Sequence, residues 1–293
     1  MTLIVLVGYL IGGLSGFLAS LHESFTTSWR RLIRAQLLFV SASLSLLAGW
    51  RLSAIGDLIW PVVVTAVAVS LVVIGYLITP RSADRHGRAV LRGWSAIPNP
   101  AFWVVPVAAA IAGPAGAVIA VFIDRAMIFV FGFFVWTLRH NAPIKQKIRT
   151  SWIDQAPLIA LVVGLVLNYY TDPPAWTEVA LEGAAPLLAA VGAAMFIGSV
   201  LHPTQRIPWR PGVRVWVLLV AVRICLLVPL AFVAPSPAIA AVLVLCAFSI
   251  PTFYPPQLSI LYGYADNVVA AASRLGWFLA PIGVVAAAVI VRM

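Results

Sequence analysis

The sequence is poor in charged residues and contains almost no cysteine. Charged residues make up 10% of the 293 residues and hydrophobic ones 62%, whereas soluble domains carry about 25% charged residues. A chain of this composition cannot cover its surface with polar groups, which excludes a soluble globular protein. The longest polar stretch, around 79–93, is too short to form a domain. We therefore expect residues 1–293 to form a single transmembrane domain.

Catalytic and metal-binding patterns are also missing from the sequence. The two cysteines, Cys225 and Cys246, lie in apolar runs, where a small buried hydrophobic residue is the usual role. No metal-ligand spacing, phosphate-binding glycine loop or nucleophile motif occurs, and no two acidic residues share an apolar run. We expect a protein without enzyme activity, metal ion or cofactor.

Apolar runs of about 20 residues, the length that crosses a hydrocarbon core, recur along the whole chain. They predict an all-α integral membrane protein with about ten transmembrane helices. Spans 1 to 10 are, in order, 3–21, 35–50, 58–78, 95–112, 115–138, 155–170, 183–201, 214–234, 237–262 and 272–291.

Most of the 19 basic residues lie in the connections on the side opposite to the N-terminus, for example Arg30, Arg81, Arg139 and Arg206. Short basic loops remain in the cytoplasm. The pattern predicts a multi-pass protein of the cell (cytoplasmic) membrane with both termini outside. It also accounts for the net charge of +10 without a nucleic-acid partner.

Two segments of the first half have counterparts in the second half. Leu3–Gly8 of span 1 is similar to Leu158–Gly164 of span 6, and Ser95–Asn99 of span 4 is similar to Phe248–Thr252 of span 9. The two matches have nearly the same sequence offset. They predict two inverted five-helix repeats, at about 1–140 and 153–293.

Proline clusters interrupt spans 4 and 9. Pro98 and Pro100 flank Asn99, while Pro251 and Pro255 lie within span 9. Proline removes a backbone donor and clashes with the preceding turn, and an interrupted helix in lipid must be buried in protein or line a cavity. Matched interruptions indicate the binding site of a transporter. We predict that helices 4 and 9 are broken and cross.

The residues after the breaks are the first candidates for binding a substrate. Asn99 and Thr252 each follow the first proline of a cluster, beside backbone N–H groups that attract anions. Tyr254 and Gln257 are further candidates for substrate binding. Alternatively, each of these side chains caps its own broken helix.

Charged residues within a bilayer are expensive and usually functional. Asp124 and Arg125 lie in span 5, and Arg223 lies near the middle of span 8. Two interpretations remain open. Asp124 and Arg223 form a structural ion pair, or one arginine attracts the anionic substrate while Asp124 takes up a proton.

The motif Asn99-x-x-Phe102-x-x-x-Pro106 resembles the signature in the fourth helix of the auxin efflux carrier family, a branch of the bile, arsenite and riboflavin transporter superfamily. Gly113–Gly116 and Asp124 follow with similar spacing. The resemblance implies the crossed ten-helix fold, outward termini, export of organic acid anions and a substrate contact at Asn99. The long cytoplasmic loop of plant members is absent here, as it is in bacterial members.

The sequence therefore predicts a secondary active transporter that exports small organic anions by alternating access. One alternative is a sodium-coupled symporter of the bile acid type, although Asn99 and Gln257 have no carboxylate near them in spans 4 and 9. The other alternative is a non-transporting membrane sensor that binds a ligand. The expected partners are a small organic anion and the lipid bilayer. The substrate, the coupling ion and the formation of a homodimer remain open, and the Pro255-Pro256 pair departs from the family pattern.

Overall fold

The computed structural model describes residues 1–21, 35–78, 97–130, 132, 155–201, 210–250 and 267–293. These residues are almost entirely helical, and no β-strand occurs among them. Their α-helices are α1 Thr2–Ser20, α2 Ala42–Trp50, α3 Ile59–Ile78, α4 Val105–Ala126, α5 Ala156–Tyr170, α6 Trp176–Leu201, α7 Arg210–Phe232, α8 Pro237–Ala247 and α9 Asn267–Arg292.

Short helical turns of other types lead into three of these helices. Gln36–Ser41 is a π-helical turn before α2, Ile55–Leu58 is a 3-10 turn before α3, and Pro100–Val104 is a π-helical turn before α4. Each of the ten predicted spans overlaps helical residues. The main difference is α6, which begins at Trp176 and carries Glu178 in its first turn. A glutamate at that position is favoured by the helix dipole, so the helix starts before the apolar run does.

The described helices have the surface of a membrane protein. By length and composition, four helical stretches are apolar enough to cross a bilayer: Ile55–Gly75, Pro100–Val130, which contains a turn at Gly113, Trp176–Ala194 and Arg214–Phe232. Large apolar side chains point outward, among them Leu10 (73% exposed) and Phe278 (77% exposed). Such exposure is expected where lipid replaces water as the surrounding solvent. The described residues therefore form an all-α membrane protein.

A sharp turn at Gly113 divides α4 into two segments. Gly113 has φ 63° and ψ −157°, a conformation that is essentially restricted to glycine. A Cβ added at Gly116 would lie 3.0 Å from the carbonyl oxygen of Ala108, although residues eight apart in a straight helix are separated by about 12 Å. The chain thus folds back at Gly113, which agrees with the boundary predicted between spans 4 and 5.

Glycine allows two pairs of helices to approach closely. In the α1–α6 pair, a Cβ at Gly12 would lie 1.9 Å from the carbonyl oxygen of Ala190. In the α2–α5 pair, a Cβ at Gly49 would lie 2.6 Å from the carbonyl oxygen of Leu161, and a Cβ at Gly164 would lie 2.1 Å from the carbonyl oxygen of Leu46. Small residues of this kind are typical of helix interfaces in membranes. Backbone contact therefore determines how these two pairs pack.

The centre of the protein lies around α8. This helix contacts α4, α7 and α9, and its residues from Ile239 to Ala247 are all buried. A helix that is apolar on every side must be buried among other helices. Its C-terminal end therefore lies deep in the core, next to the start of the π-helical turn that begins at Pro100.

Candidate functional site

The interruption predicted in span 4 is present in the structure. Residues 97–99 are not helical, and Pro100 begins the helical turn that leads into α4. Proline is favoured at a first helical position because its missing N–H would have no partner there. The Oδ1 atom of Asn99 accepts a hydrogen bond from the backbone N–H of Phe102 at 3.4 Å. Asn99 therefore caps the helical segment that follows the break.

The helix of span 9 ends before its first proline. α8 stops at Ala247, and Ser249 and Ile250 are not helical. The interruption predicted in span 9 therefore begins after Ala247, four residues before its first proline. The remaining residues predicted for span 9 lie outside the described part of the chain, so their roles stay predictions: Pro251, Thr252, Tyr254, Pro255 and Gln257.

The two interrupted segments contact each other directly. The backbone N–H of Asn99 donates to the Oγ atom of Ser249 at 2.9 Å, and this hydroxyl donates to the carbonyl oxygen of Ile250 at 2.8 Å. Asn99 and Ser249 are each 1% exposed. The breaks in spans 4 and 9 therefore meet at a dry, polar point in the core, which we call the crossing (residues 97–100 and 247–250).

Arg223 of α7 reaches into the crossing. Its Nε donates to the carbonyl oxygen of Ala247 at 3.0 Å, and its Nη2 donates to that of Ser249 at 2.5 Å. These oxygens lie at the C-terminal end of α8, where the helix dipole favours a cation. The side chain is 1% exposed, its Nη1 has no hydrogen-bond partner, and no described carboxylate lies within ion-pair distance. A buried charge in this state is costly unless an anion joins it.

The structure contradicts one of the two open interpretations, the ion pair between Asp124 and Arg223. The Oδ2 atom of Asp124 lies 2.7 Å from Nη2 of its neighbour Arg125, and its carboxylate lies near the backbone N–H of Ala101. The carbonyls at the end of α8 hold Arg223 instead. Asp124 is therefore placed at the N-terminus of the helical segment that begins at Pro100, where the dipole favours an anion.

The atoms left over at the crossing are all donors. Nδ2 of Asn99 and Nη1 of Arg223 are buried without a partner, as is Nε of Arg125 near the same helix start. Buried polar groups are normally hydrogen-bonded, and amide and guanidinium N–H groups can only donate. Any group that bonded to these atoms would therefore have to accept hydrogen bonds, as a carboxylate does.

Ser249 is the residue of the crossing that the sequence reasoning missed. Ser249 lies just before Ile250-Pro251, whereas the predicted residues, Asn99 and Thr252, each follow a proline. Residues before the first proline of span 9 also take part in the crossing. The hydroxyl of Ser249 accepts a hydrogen bond from the N–H of Asn99, and its carbonyl oxygen accepts one from Arg223. A polar residue on the helical side of a broken span therefore indicates a site as well.

A second polar feature lies at the far end of the helices. A cleft of about 190 Å³ opens beside the first turns of α6 and α8. Arg51 crosses it, with Nη1 at 2.6 Å from Oε1 of Glu178 and Nε donating to Oγ1 of Thr177 at 2.9 Å. The other polar side chains of its lining are Ser53, Asp57 and Ser236. Arg51 and Glu178 are thus already paired in this cleft, whereas Arg223 at the crossing has no carboxylate partner among the described residues.

Comparison with known proteins does not assign the chain to a family. No protein-family model matches the chain, and no curated protein matches its sequence. The likeness to auxin efflux carriers stays a prediction from the motif residues. The geometry of the crossing is the main guide to function.

Proposed function

We propose that this protein is a secondary active transporter that moves small organic anions, carboxylates above all, across the cell membrane by alternating access. The observation that carries the proposal is the pair of buried, unpartnered donors at the crossing, Nη1 of Arg223 and Nδ2 of Asn99. A carboxylate accepts several hydrogen bonds, and those from an arginine are among the strongest. Its charge would also compensate that of Arg223.

The packing of the glycine-rich helix pairs supports the inverted repeat. An inverted repeat equates span 1 with span 6 and span 2 with span 7. Spans 1 and 7 are helices α1 and α6, and spans 2 and 6 are helices α2 and α5. The repeat therefore relates the contact between α1 and α6 to the contact between α5 and α2. Gly8 and Gly164 are the matched residues of the two halves, and a Cβ added at either would clash with a carbonyl oxygen of the partner helix, that of Pro186 or of Leu46. We accordingly propose ten spans in two repeats, at about 1–140 and 153–293.

The position of Asp124 supports a part in coupling. Its carboxylate occupies the helix start that Asn99 caps, so a proton on this carboxylate would change the charge beside the proposed site. Export of the anion is the direction that the resemblance to auxin efflux carriers implies. Proton coupling and sodium coupling then differ in which gradient drives the flux.

Reconstitution tests this function. The purified protein in proteoliposomes should exchange labelled mono- or dicarboxylates across the bilayer, and imposed proton and sodium gradients identify the coupling ion. Flux driven by sodium alone would favour the symporter mechanism. Binding of these acids without any flux would instead favour a membrane sensor, and absence of both would refute an organic-anion function.

Asn99→Asp is the sharpest variant for this assay. The aspartate keeps an oxygen in the position of Oδ1, so the cap on Phe102 remains, but the Nδ2 donor is replaced by a negatively charged acceptor. We expect anion affinity to fall by about tenfold or more, because a lost hydrogen bond to a charged group is worth about 1.5–3 kcal/mol. Asn168→Asp makes the same change outside the crossing, where Nδ2 of Asn168 bonds to the carbonyl oxygen of Leu52. This control should keep wild-type affinity.

A further inference from the structure

A third buried donor lies on the helix that carries Arg223. Trp216 of α7 is 2% exposed, and its Nε1 has no hydrogen-bond partner. A buried indole N–H usually finds an acceptor, and leaving it without one is costly in a dry interior. The N–H of Trp216 is thus an unused polar group in the same helix as the Arg223 guanidinium.

Trp216 and Arg223 share one face of α7. Seven residues separate them, which is two helical turns or about 10 Å along the axis. The buried positions between and beside them have the spacing of a single helix face and are apolar: Leu219, Val220 and Leu227. No side chain among these three can accept a hydrogen bond, so they leave the Trp216 N–H without a partner from its own face.

The position of Trp216 relative to α8 places it beyond the crossing. α7 and α8 are consecutive helices that contact each other, and Arg223 bonds to the carbonyl oxygen of Ala247 at the end of α8. Because Trp216 lies two turns nearer the start of α7, it lies past the end of α8. By the charge pattern of the loops, this is the cytoplasmic side of the crossing.

We propose that Trp216 binds a second carboxylate of the transported anion, so that the preferred substrates are dicarboxylates. This inference rests on the proposed function: Arg223 and Asn99 hold one carboxylate, and the indole N–H of Trp216 donates to the other. An indole can donate but not accept, so its partner must be an acceptor, and a carboxylate oxygen is a strong one. A monocarboxylate would fill the crossing and leave the Trp216 N–H unpaired.

Trp216→Phe tests this inference because it keeps an aromatic ring and removes only the N–H. Dissociation constants of the purified full-length protein are measured for succinate and glutarate and for the monocarboxylates butyrate and valerate. Dicarboxylate affinity should fall by about tenfold, the effect of losing one hydrogen bond to a charged group, and monocarboxylate affinity should not change. Trp176→Phe makes the same substitution at a half-exposed position outside the crossing and should change neither.

The outcomes separate this inference from the function on which it depends. Unchanged dicarboxylate affinity in Trp216→Phe, or an equal loss for both classes of acid, would overturn it. Thermal stability without ligand should be equal or higher in the variant, since an unpaired buried donor has been removed; a clear decrease would identify Trp216 as a structural residue and overturn the inference too. If the wild-type protein binds none of the four acids, the proposed function fails and this inference fails with it.

Discussion

At the scale of single residues, Asn99 and Arg223 each use some polar atoms for bonds within the protein and leave one atom unpaired. Asn99 uses Oδ1 to cap Phe102 and keeps Nδ2 unpaired. Arg223 uses Nε and Nη2 on the end of α8 and keeps Nη1 unpaired. A substitution that removes the whole side chain therefore affects folding and binding together. Isosteric substitutions such as Asn99→Asp separate the two effects.

The contact between Asp124 and Arg125 can be tested by a double-mutant cycle. Asp124→Asn should lower the free energy of unfolding by about 2 kcal/mol, because Arg125 would then lie largely buried without its carboxylate. Adding Arg125→Gln should recover most of that loss, whereas adding Arg223→Gln should not. Denaturant unfolding of the detergent-solubilised protein provides the measurement. If adding Arg223→Gln to Asp124→Asn recovered the stability and adding Arg125→Gln did not, Asp124 would pair with Arg223.

At the scale of helices, close packing depends on which face of α1 a glycine occupies. Gly12 faces the backbone of α6, and a Cβ there would lie 1.9 Å from the carbonyl oxygen of Ala190. The adjacent Gly13 faces open space apart from Cγ1 of Ile197, which a Cβ would meet at 3.8 Å. Two neighbouring glycines of one helix thus have opposite roles, one in a close contact and one at an ordinary distance.

Alanine at these two positions should accordingly have different effects. Gly12→Ala should lower the free energy of unfolding by about 1–3 kcal/mol, the usual effect of overpacking, since α1 and α6 must separate. Gly13→Ala should leave it unchanged or raise it by up to about 1 kcal/mol, because alanine is the better helix former. Thermal unfolding of both variants in one detergent gives the comparison. Equal destabilisation by the two substitutions would argue against the α1–α6 contact.

At the scale of the whole molecule, aromatic side chains gather at one end of the helices. Trp50 donates from Nε1 to the carbonyl oxygen of Thr171 at 3.1 Å and lies 6.4 Å from the ring of Trp176. Tyr169 and Tyr170 follow at the end of α5, both strongly exposed. Tryptophan and tyrosine are enriched where a membrane meets water. This end carries the paired Arg51 and Glu178 and is the side predicted to face outward.

Labelling of single cysteines tests that orientation. In a background with Cys225→Ala and Cys246→Ala, a cysteine in the 139–152 or 202–214 connection should react with a membrane-impermeant maleimide only from the cytoplasm. A cysteine in place of Asp172 should react only from outside, because the basic connections stay in the cytoplasm. The reverse pattern would invert the topology and place Trp216 on the outer side of the crossing.

The helical character of the described segments and the break in span 4 were predictable from the sequence alone. An apolar run favours a helix, and a proline interrupts one, at the place in the chain where it occurs. Both could therefore be located without knowledge of the fold. The matched glycines Gly8 and Gly164 were also visible, although their contacts with other helices were not. The early start of α6 was missed because Glu178 and Glu182 interrupt the apolar run at its beginning.

Which polar groups meet depends on the packing of the helices and could not be predicted from the sequence. The contact of Asn99 with Ser249 joins residues 150 positions apart, and no local pattern specifies such a pair. Asp124 in span 5 and Arg223 in span 8 have opposite charges, yet each has a nearer partner, Asp124 in Arg125 and Arg223 in the carbonyls at the end of α8. The reason is physical. A buried charge is stabilised only by groups within a few ångströms, and those distances are determined by how the helices pack.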